Sequence, residues 1–198
     1  MLGLSYKSAW FMAHRIRYAM TQPPLVDKLQ GIVEADETYI GGKHHGKRGR
    51  GSENKVPVFA LVERNGRVRS FKTDKVTAHN LRQKIRENID KDSTVMTDEL
   101  LAYRELGKEF SHLTVNHGTG EYVNGDAHTN TAEGFFSILK RGINGVYHHV
   151  SEQHLDRYLA EFGFRCDQHK VDDAIRTSVA MDQTKGKRLM FRQPCGAK

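Results

Sequence analysis

The chain alternates between segments that repeat apolar residues at the helical period and shorter segments that run apolar and then stop. Met1 to Met20 is of the first kind: Leu4, Ala9, Trp10, Ala13, Ile16 and Ala19 make an irregular stripe near the 3.6 period, with Ser5 placed as N-cap. Arg15 and Arg17 fall on other faces. Pro23-Pro24 stops the helix, and Gln22 to Gln30 reads as a linker. The next segment, GIVEADETYIGG, places Ile32, Val33, Thr38, Tyr39 and Ile40 in a strand that Gly41-Gly42 ends. Val56 to Val62 (VPVFALV) predicts a second strand, with Pro57 near its start, where a missing N–H costs least. Asn65-Gly66 signals a tight turn, and Arg67 to Lys72 (RVRSFK) returns as the partner strand.

Beyond this meander the pattern changes. Thr77 caps a helix over Ala78 to Ile89, with Leu81, Ile85 and Ile89 on one face. Ser93 to Thr97 (STVMT) is a buried strand ending at Asp98. Glu99 to Phe110 is expected to be helical, His112 to Asn116 to be another strand, and Gly118 to Asp126 a loop. Thr129 or Asn130 caps a helix running to about Gly142. Ser151 caps another over Glu152 to about Lys170, with Leu155, Tyr158, Leu159, Phe162 and Phe164 inward, and Asp172 to about Asp182 forms a third. Three meandering strands followed by strands alternating with helices make an α/β pattern.

Composition bounds what such a fold does. At 198 residues the chain holds one main domain and a short appendage, and a 37% hydrophobic share is enough for a core. Two cysteines, Cys166 and Cys195, exclude a disulfide scaffold. No apolar run is long enough to span a bilayer, and the N-terminal stretch lacks the clean apolar core of a signal peptide. The expectation is a soluble cytoplasmic protein with no membrane partner. Lys and Arg exceed Asp and Glu by 31 to 24, a formal charge of +7 that favours a polyanion, nucleic acid first.

That charge is gathered rather than spread. Lys43, Lys47, Arg48, Arg50 and Lys55 stand among glycines in KHHGKRGRGSENK, and more lies at Lys140-Arg141 and in the tail. A charge run is usually a solvated surface. Directly after the strand bearing Asp36, this one would hang beside a site, where phosphate neutralisation supplies affinity rather than base selectivity.

Three acids are set against their surroundings. Asp36 lies in an apolar strand, Asp98 ends one, and Glu133 opens a helix two residues before Phe135-Phe136. Desolvating a carboxylate is costly, and three converging would repel unless cations sat between them. Hard divalent cations such as Mg²⁺ take such oxygen ligands, and two of them can serve phosphodiester chemistry. Taken singly, an Asp at a strand end is more often a turn-former, and Asp98 could merely cap a helix beginning at Glu99. Glu34 shares a strand face with Asp36, so alternation does not separate the two.

The blocks VEADETYIGGK (Val33 to Lys43), MTDELLAY (Met96 to Tyr103) and HTNTAEGFFSILKRGINGVYHH (His128 to His149) resemble, in the right order, those of insertion-sequence DDE transposases of the Merlin-related group, the ISXO-like transposase domain. The resemblance covers about Val33 to Lys170. It implies an RNase H-like catalytic domain, a five-stranded mixed sheet flanked by helices with strand one beside strand four. It implies Asp36, Asp98 and Glu133 as catalytic carboxylates and ligands of two Mg²⁺, for which Mn²⁺ can substitute. Asn130, one turn before Glu133, is a rival for the third position, because some members of the group use an amide there. Lys140, two helical turns after Glu133, and Arg141 suit contact with a DNA phosphate. His128 is a further auxiliary candidate, either orienting water or holding a phosphate. His128, His148 and His149 have no Cys near them, so no zinc is expected in this chain.

Residues 1–22 resemble the last helix of a helix-turn-helix of these transposases, and the zinc ribbon common upstream in the family is not present, so the chain is expected to be N-terminally truncated. A plain amphipathic helix docked on the core is the alternative. The expected organisation is therefore residues 1–22, a 23–30 linker, a 31–170 catalytic domain, and a 171–198 helix and basic tail. The expected activity is strand cleavage at element ends and strand transfer into target DNA, by a nucleoid-associated homodimer. The alternatives are a structure-specific nuclease or resolvase of the same fold, and an inactive DNA-binding remnant.

Overall fold

The computed structural model describes residues 3–21, 27–41, 55–64, 66–115 and 128–190. Lys43, Lys47, Arg48, Arg50, Asn65, Cys195 and the 118–126 loop lie outside the described residues.

Five strands form one mixed sheet: β1 (Ile32–Ile40), β2 (Val56–Glu63), β3 (Val68–Lys72), β4 (Thr94–Thr97) and β5 (Ser111–Thr114), in the order β3-β2-β1-β4-β5. The meander pairs antiparallel, and β1, β4 and β5 run parallel. Strand one thus sits centrally beside strand four, as the RNase H-like reading requires. Pro57 falls opposite Tyr39 at the start of β2, at the end of the β1–β2 ladder.

Strand alternation divides the core. Val33 and Ala35 of β1 pack with Phe59 and Leu61 of β2 under α2 (Ala78–Asn88), whose Leu81 and Ile85 are buried there. Ile40 with Val58, Ala60 and Val62 packs on the opposite face. There it meets Ala132, Phe135, Phe136 and Leu139 of α3 (Asn130–Gly142), and Leu155, Leu159 and Phe162 of α4 (Leu155–Asp167). Gly142 lets these two helices approach, since a Cβ there would fall inside the Phe162 ring. Thr77 caps α2 by accepting the Asn80 N–H at 3.3 Å.

Three expectations change. The stretch 99–110 is not a regular helix but two single 3₁₀ turns, Leu101–Tyr103 and Leu106–Lys108. Its inward residues Leu100, Tyr103 and Leu106 recur every third position, the 3₁₀ period, against the α2 core. The helix expected from Glu152 begins as a 3₁₀ turn, Glu152–His154, and α4 ends at Asp167. The third concerns α1 (Tyr6–Ala19), which Ser5 caps as read. Its expected apolar stripe is only partly the buried face: Ala19 is buried as expected, but Ile16 is 44% exposed, whereas His14, outside the stripe, is 1% exposed. The helix docks on α4 through polar and aromatic groups instead. Arg17 Nε donates to Glu161 Oε2 at 2.7 Å, and its guanidinium lies over the Tyr158 ring at 4.3 Å. His14 stacks among Trp10, His154 and Tyr158. Leu29, in the stretch assigned to a linker, is fully buried and bridges to Ile89. The last helix, α5, spans Asp173–Asp182 and is capped by Asp172. Among the described residues no helix is long and apolar enough to cross a membrane.

Candidate active site

The parallel β1–β4 register runs Ile32↔Thr94, Val33↔Val95, Glu34↔Met96, and two residues further along come Asp36 and Asp98. Asp36, midway along β1, therefore lies level with Asp98, which follows the last residue of the adjacent β4. Glu133 lies in the first turn of α3, which packs across this face of the sheet.

Their electrostatics tie them together. Burial pushes the Asp36 carboxyl up to about 7, with Glu37 adding to the rise and Asp98 and Glu133 contributing, while the Glu37 backbone N–H opposes it. That N–H donates to Asp36 Oδ1 at 2.7 Å. Asp98 Oδ1 accepts the Leu100 N–H at 3.1 Å, so Asp98 also shapes the turn after β4. Glu133 Oε1 accepts from the Thr129 hydroxyl at 3.3 Å, and the Glu133 side chain is exposed.

The sheet separates the acids that alternation could not. Glu34 is fully buried and committed: it accepts from Arg64 Nε at 2.8 Å and from the Thr131 and Ala132 backbone N–H groups at 2.7 and 3.1 Å. Glu37 points to the other face, where the buried Tyr103 hydroxyl donates to its Oε2 at 2.8 Å. Burial and the nearby acids hold the Tyr103 phenol well above its ordinary range.

The auxiliary residues divide. Asn130 is the first residue of α3, exposed, one turn from Glu133. Lys140 and Arg141 are exposed in the last turn of the same helix. His128 turns toward Glu34, its Nδ1 3.2 Å from Oε1, and its carbonyl accepts from Arg64 at 3.3 Å. Lys55 is half-buried just before β2. Sequence reasoning missed Arg64 and Tyr103. Tyr103 stood inside the MTDELLAY block, but nothing in the linear pattern links it to Glu37.

Asp36, Asp98 and Glu133 offer carboxylate oxygens only, the donor set of a hard divalent cation, and their mutual repulsion at Asp36 is what a cation would relieve. Among the described residues, no group of three or more His, Cys, Asp or Glu stands close enough to hold a metal as the side chains lie.

Comparison with known proteins extends the picture. A chain of the simian T-cell lymphotropic virus intasome, in complex with PP2A regulatory subunit B56 gamma, aligns over 99% of this chain and 73% of its own at 12% identity and a TM-score of 0.43. The Mos1 strand transfer complex aligns over 91% of this chain and 60% of its own at 12% identity and a TM-score of 0.35. An uncharacterised protein in transposable element ISH50 of Halobacterium salinarum is 32% identical over 182 residues, covering 83% of this chain. The chain spans 61% of that relative's length. The model of the ISXO2-like transposase domain matches residues 28–167, a span that holds all five strands and both helices of the site face, and the chain belongs to that family.

Proposed function

We propose that this chain carries the catalytic domain of a DDE transposase, in which Asp36, Asp98 and Glu133 hold two Mg²⁺ ions (Mn²⁺ can substitute). The observation that carries the reading is geometric: Asp36 on β1 lies level with Asp98 after the adjacent β4, and Glu133 opens the helix that packs across this face, where burial and the surrounding acids drive the Asp36 carboxyl up to about 7. A neutral acid is a poor ligand, so loading the site must draw off that proton and bring the carboxylates together. Glu133 lies exposed in the first turn of α3, on the helix that packs across this face. Bound there, the ions supply activation of the attacking oxygen and neutralisation of the leaving one.

The chain's own contribution is position. The middle of one strand, the end of its neighbour and one helix start set three acids around the scissile phosphate. In the first step a water oxygen bonds to phosphorus as the P–O3′ bond breaks, leaving a 3′-hydroxyl on the element and a 5′-phosphate on the flank. In the second that 3′-hydroxyl attacks a target phosphodiester in line, releasing a target 3′-hydroxyl, with no covalent enzyme intermediate. Lys140 and Arg141 lie on the helix of Glu133 and meet the DNA backbone, with Lys55 and the basic residues 43–50 adding affinity. Asn130 is the alternative third ligand. Two element ends must be joined, so the active form is a dimer.

The test is metal-dependent nicking of element-end DNA by wild type and Asp36→Asn, followed by transfer of a pre-cut end into plasmid. Nicking and joining by wild type alone support the reading. Nicking without joining makes the protein a nuclease or resolvase. Equal background in both proteins, with DNA binding intact, makes it a non-catalytic DNA-binding remnant.

A further inference from the structure

We propose that Glu34 is a positioning residue, a buried carboxylate on β1 that caps α3 from outside the helix and so sets Glu133 against Asp36 and Asp98. This rests on the reading of those three acids as the metal-holding set.

The start of α3 lacks its own cap. Thr129 occupies the N-cap position but its side chain makes no capping hydrogen bond. An N-cap side chain ordinarily accepts from the second and third helical N–H groups. Here these belong to Thr131 and Ala132, and both donate to Glu34 Oε2, at 2.7 and 3.1 Å. The Thr131 hydroxyl adds a bond to Oε1 at 2.9 Å. An anion at this end also complements the helix dipole. The cap is thus supplied in trans, by a residue two positions before Asp36 on the same strand face.

Such a cap fixes distance. The backbone of Ala132, immediately before Glu133, is tied by one carboxylate to the strand that bears Asp36. Arg64 extends the tie. It donates from Nε to Glu34 Oε1 at 2.8 Å and from Nη2 to Met96 Sδ at 3.0 Å, and Met96 lies two residues before Asp98. The same Nη2 donates to the His128 carbonyl, just ahead of α3, at 3.3 Å. One ion pair therefore touches the element carrying each of the three acids. A full charge buried at 0% exposure is retained in a core only when well paired, and Glu34 is. A misplacement of about 1 Å can cost on the order of a hundredfold in rate.

The experiment compares the full chain as wild type, Glu34→Gln and Thr131→Val. It measures amide exchange at Thr131 and Ala132 without metal, the Mn²⁺ midpoint of nicking, the nicking rate and thermal unfolding. Glu34→Gln keeps the volume but puts an NH₂ among donors. Expected are exchange at both amides at least about tenfold faster, an Mn²⁺ midpoint raised roughly tenfold and nicking slowed about a hundredfold. Thr131→Val, which removes one bond and spares the fold, should raise the midpoint about threefold; this variant decides if Glu34→Gln does not fold. Lower thermal stability with wild-type midpoint and rate would make Glu34 merely structural and overturn the proposal. If wild type itself shows no Mn²⁺-dependent nicking, the metal reading fails first and the positioning role falls with it, whatever the variants do.

Discussion

Glu34 and Asp36 leave β1 on the same face, two residues apart, yet Glu34 is fixed by Arg64 and the start of α3 while Asp36 faces Asp98 and Glu133. Under the proposed function, one strand therefore holds both an anchor and a metal ligand. Asp36→Asn removes the charge with little change of shape. It should abolish divalent-dependent nicking. It should also abolish most of the rise in melting temperature that Mg²⁺ gives wild type, because a ligand that binds only the folded state stabilises it. Without divalent ions the variant should be at least as stable as wild type, since a repelled carboxyl has gone. Thermal unfolding with Mg²⁺ and after chelation reads both effects.

Tyr103 makes a narrower prediction. Its hydroxyl donates to Glu37 at 2.8 Å from a fully buried position. Tyr103→Phe keeps the ring and deletes that bond, which joins the turn after Asp98 to β1. A hydrogen bond to a charged group contributes about 1.5–3 kcal/mol. Urea unfolding should show a loss of that order with the cooperativity of the transition unchanged.

How far these relationships were legible in sequence depends on their range. The order of strands was legible because each was a short β-branched run bounded by turn residues, and Ser5 and Thr77 were read as caps that do cap. The segment 99–110 was misread because acids and leucines at mixed spacing fit α and 3₁₀ periods alike. The choice between Glu34 and Asp36 was not legible. It depends on Arg64, Thr131 and Ala132, which reach Glu34 only after the sheet and α3 have assembled. The buried face of α1 was hidden for a related reason: His14 and Arg17 look like surface residues until Glu161 and Tyr158 of α4 are opposite them.

Gly142 tests packing between α3 and α4. Its missing side chain leaves room for the Phe162 ring, which is rigid and cannot yield as a flexible chain would. Gly142→Ala should destabilise despite the better helix propensity of alanine, by about 1–3 kcal/mol, the usual cost of overpacking. Phe162→Leu loses ring contacts by itself. Combined with Gly142→Ala it should cost less than the two changes added, and a double-mutant cycle of denaturant midpoints measures that coupling.

His14 gives the fold a pH dependence. Burial, followed by His154, Arg17 and Arg157 nearby, lowers its pKa from 6.5 to about 4. The unfolded chain then takes up a proton that the folded chain refuses, so stability is full above about 6.5 and declines as pH falls toward 4. His154, its stacking partner 4.7 Å away, is shifted in the same direction by burial and Arg157. His14→Phe keeps an aromatic ring among Trp10, His154 and Tyr158 without the titration. Denaturant midpoints at pH 7.5 and 5 should therefore drop more for wild type than for the variant. An equal drop in both would place the acid sensitivity elsewhere.

Lys140 concerns DNA rather than fold. It is exposed two turns from Glu133, on the helix that bears it, and packing asks nothing of it. Under the proposed function it neutralises a phosphate near the reacting end. Such a contact releases about one counterion and carries no base information. Lys140→Ala should leave melting temperature unchanged within about 0.5 kcal/mol of stability. It should weaken binding to element-end and unrelated DNA alike, and lower the slope of log Kd against log salt by about one. A loss confined to element ends would instead mean that Lys140 reads bases. Fluorescence anisotropy over a salt series, with both DNAs, separates the two.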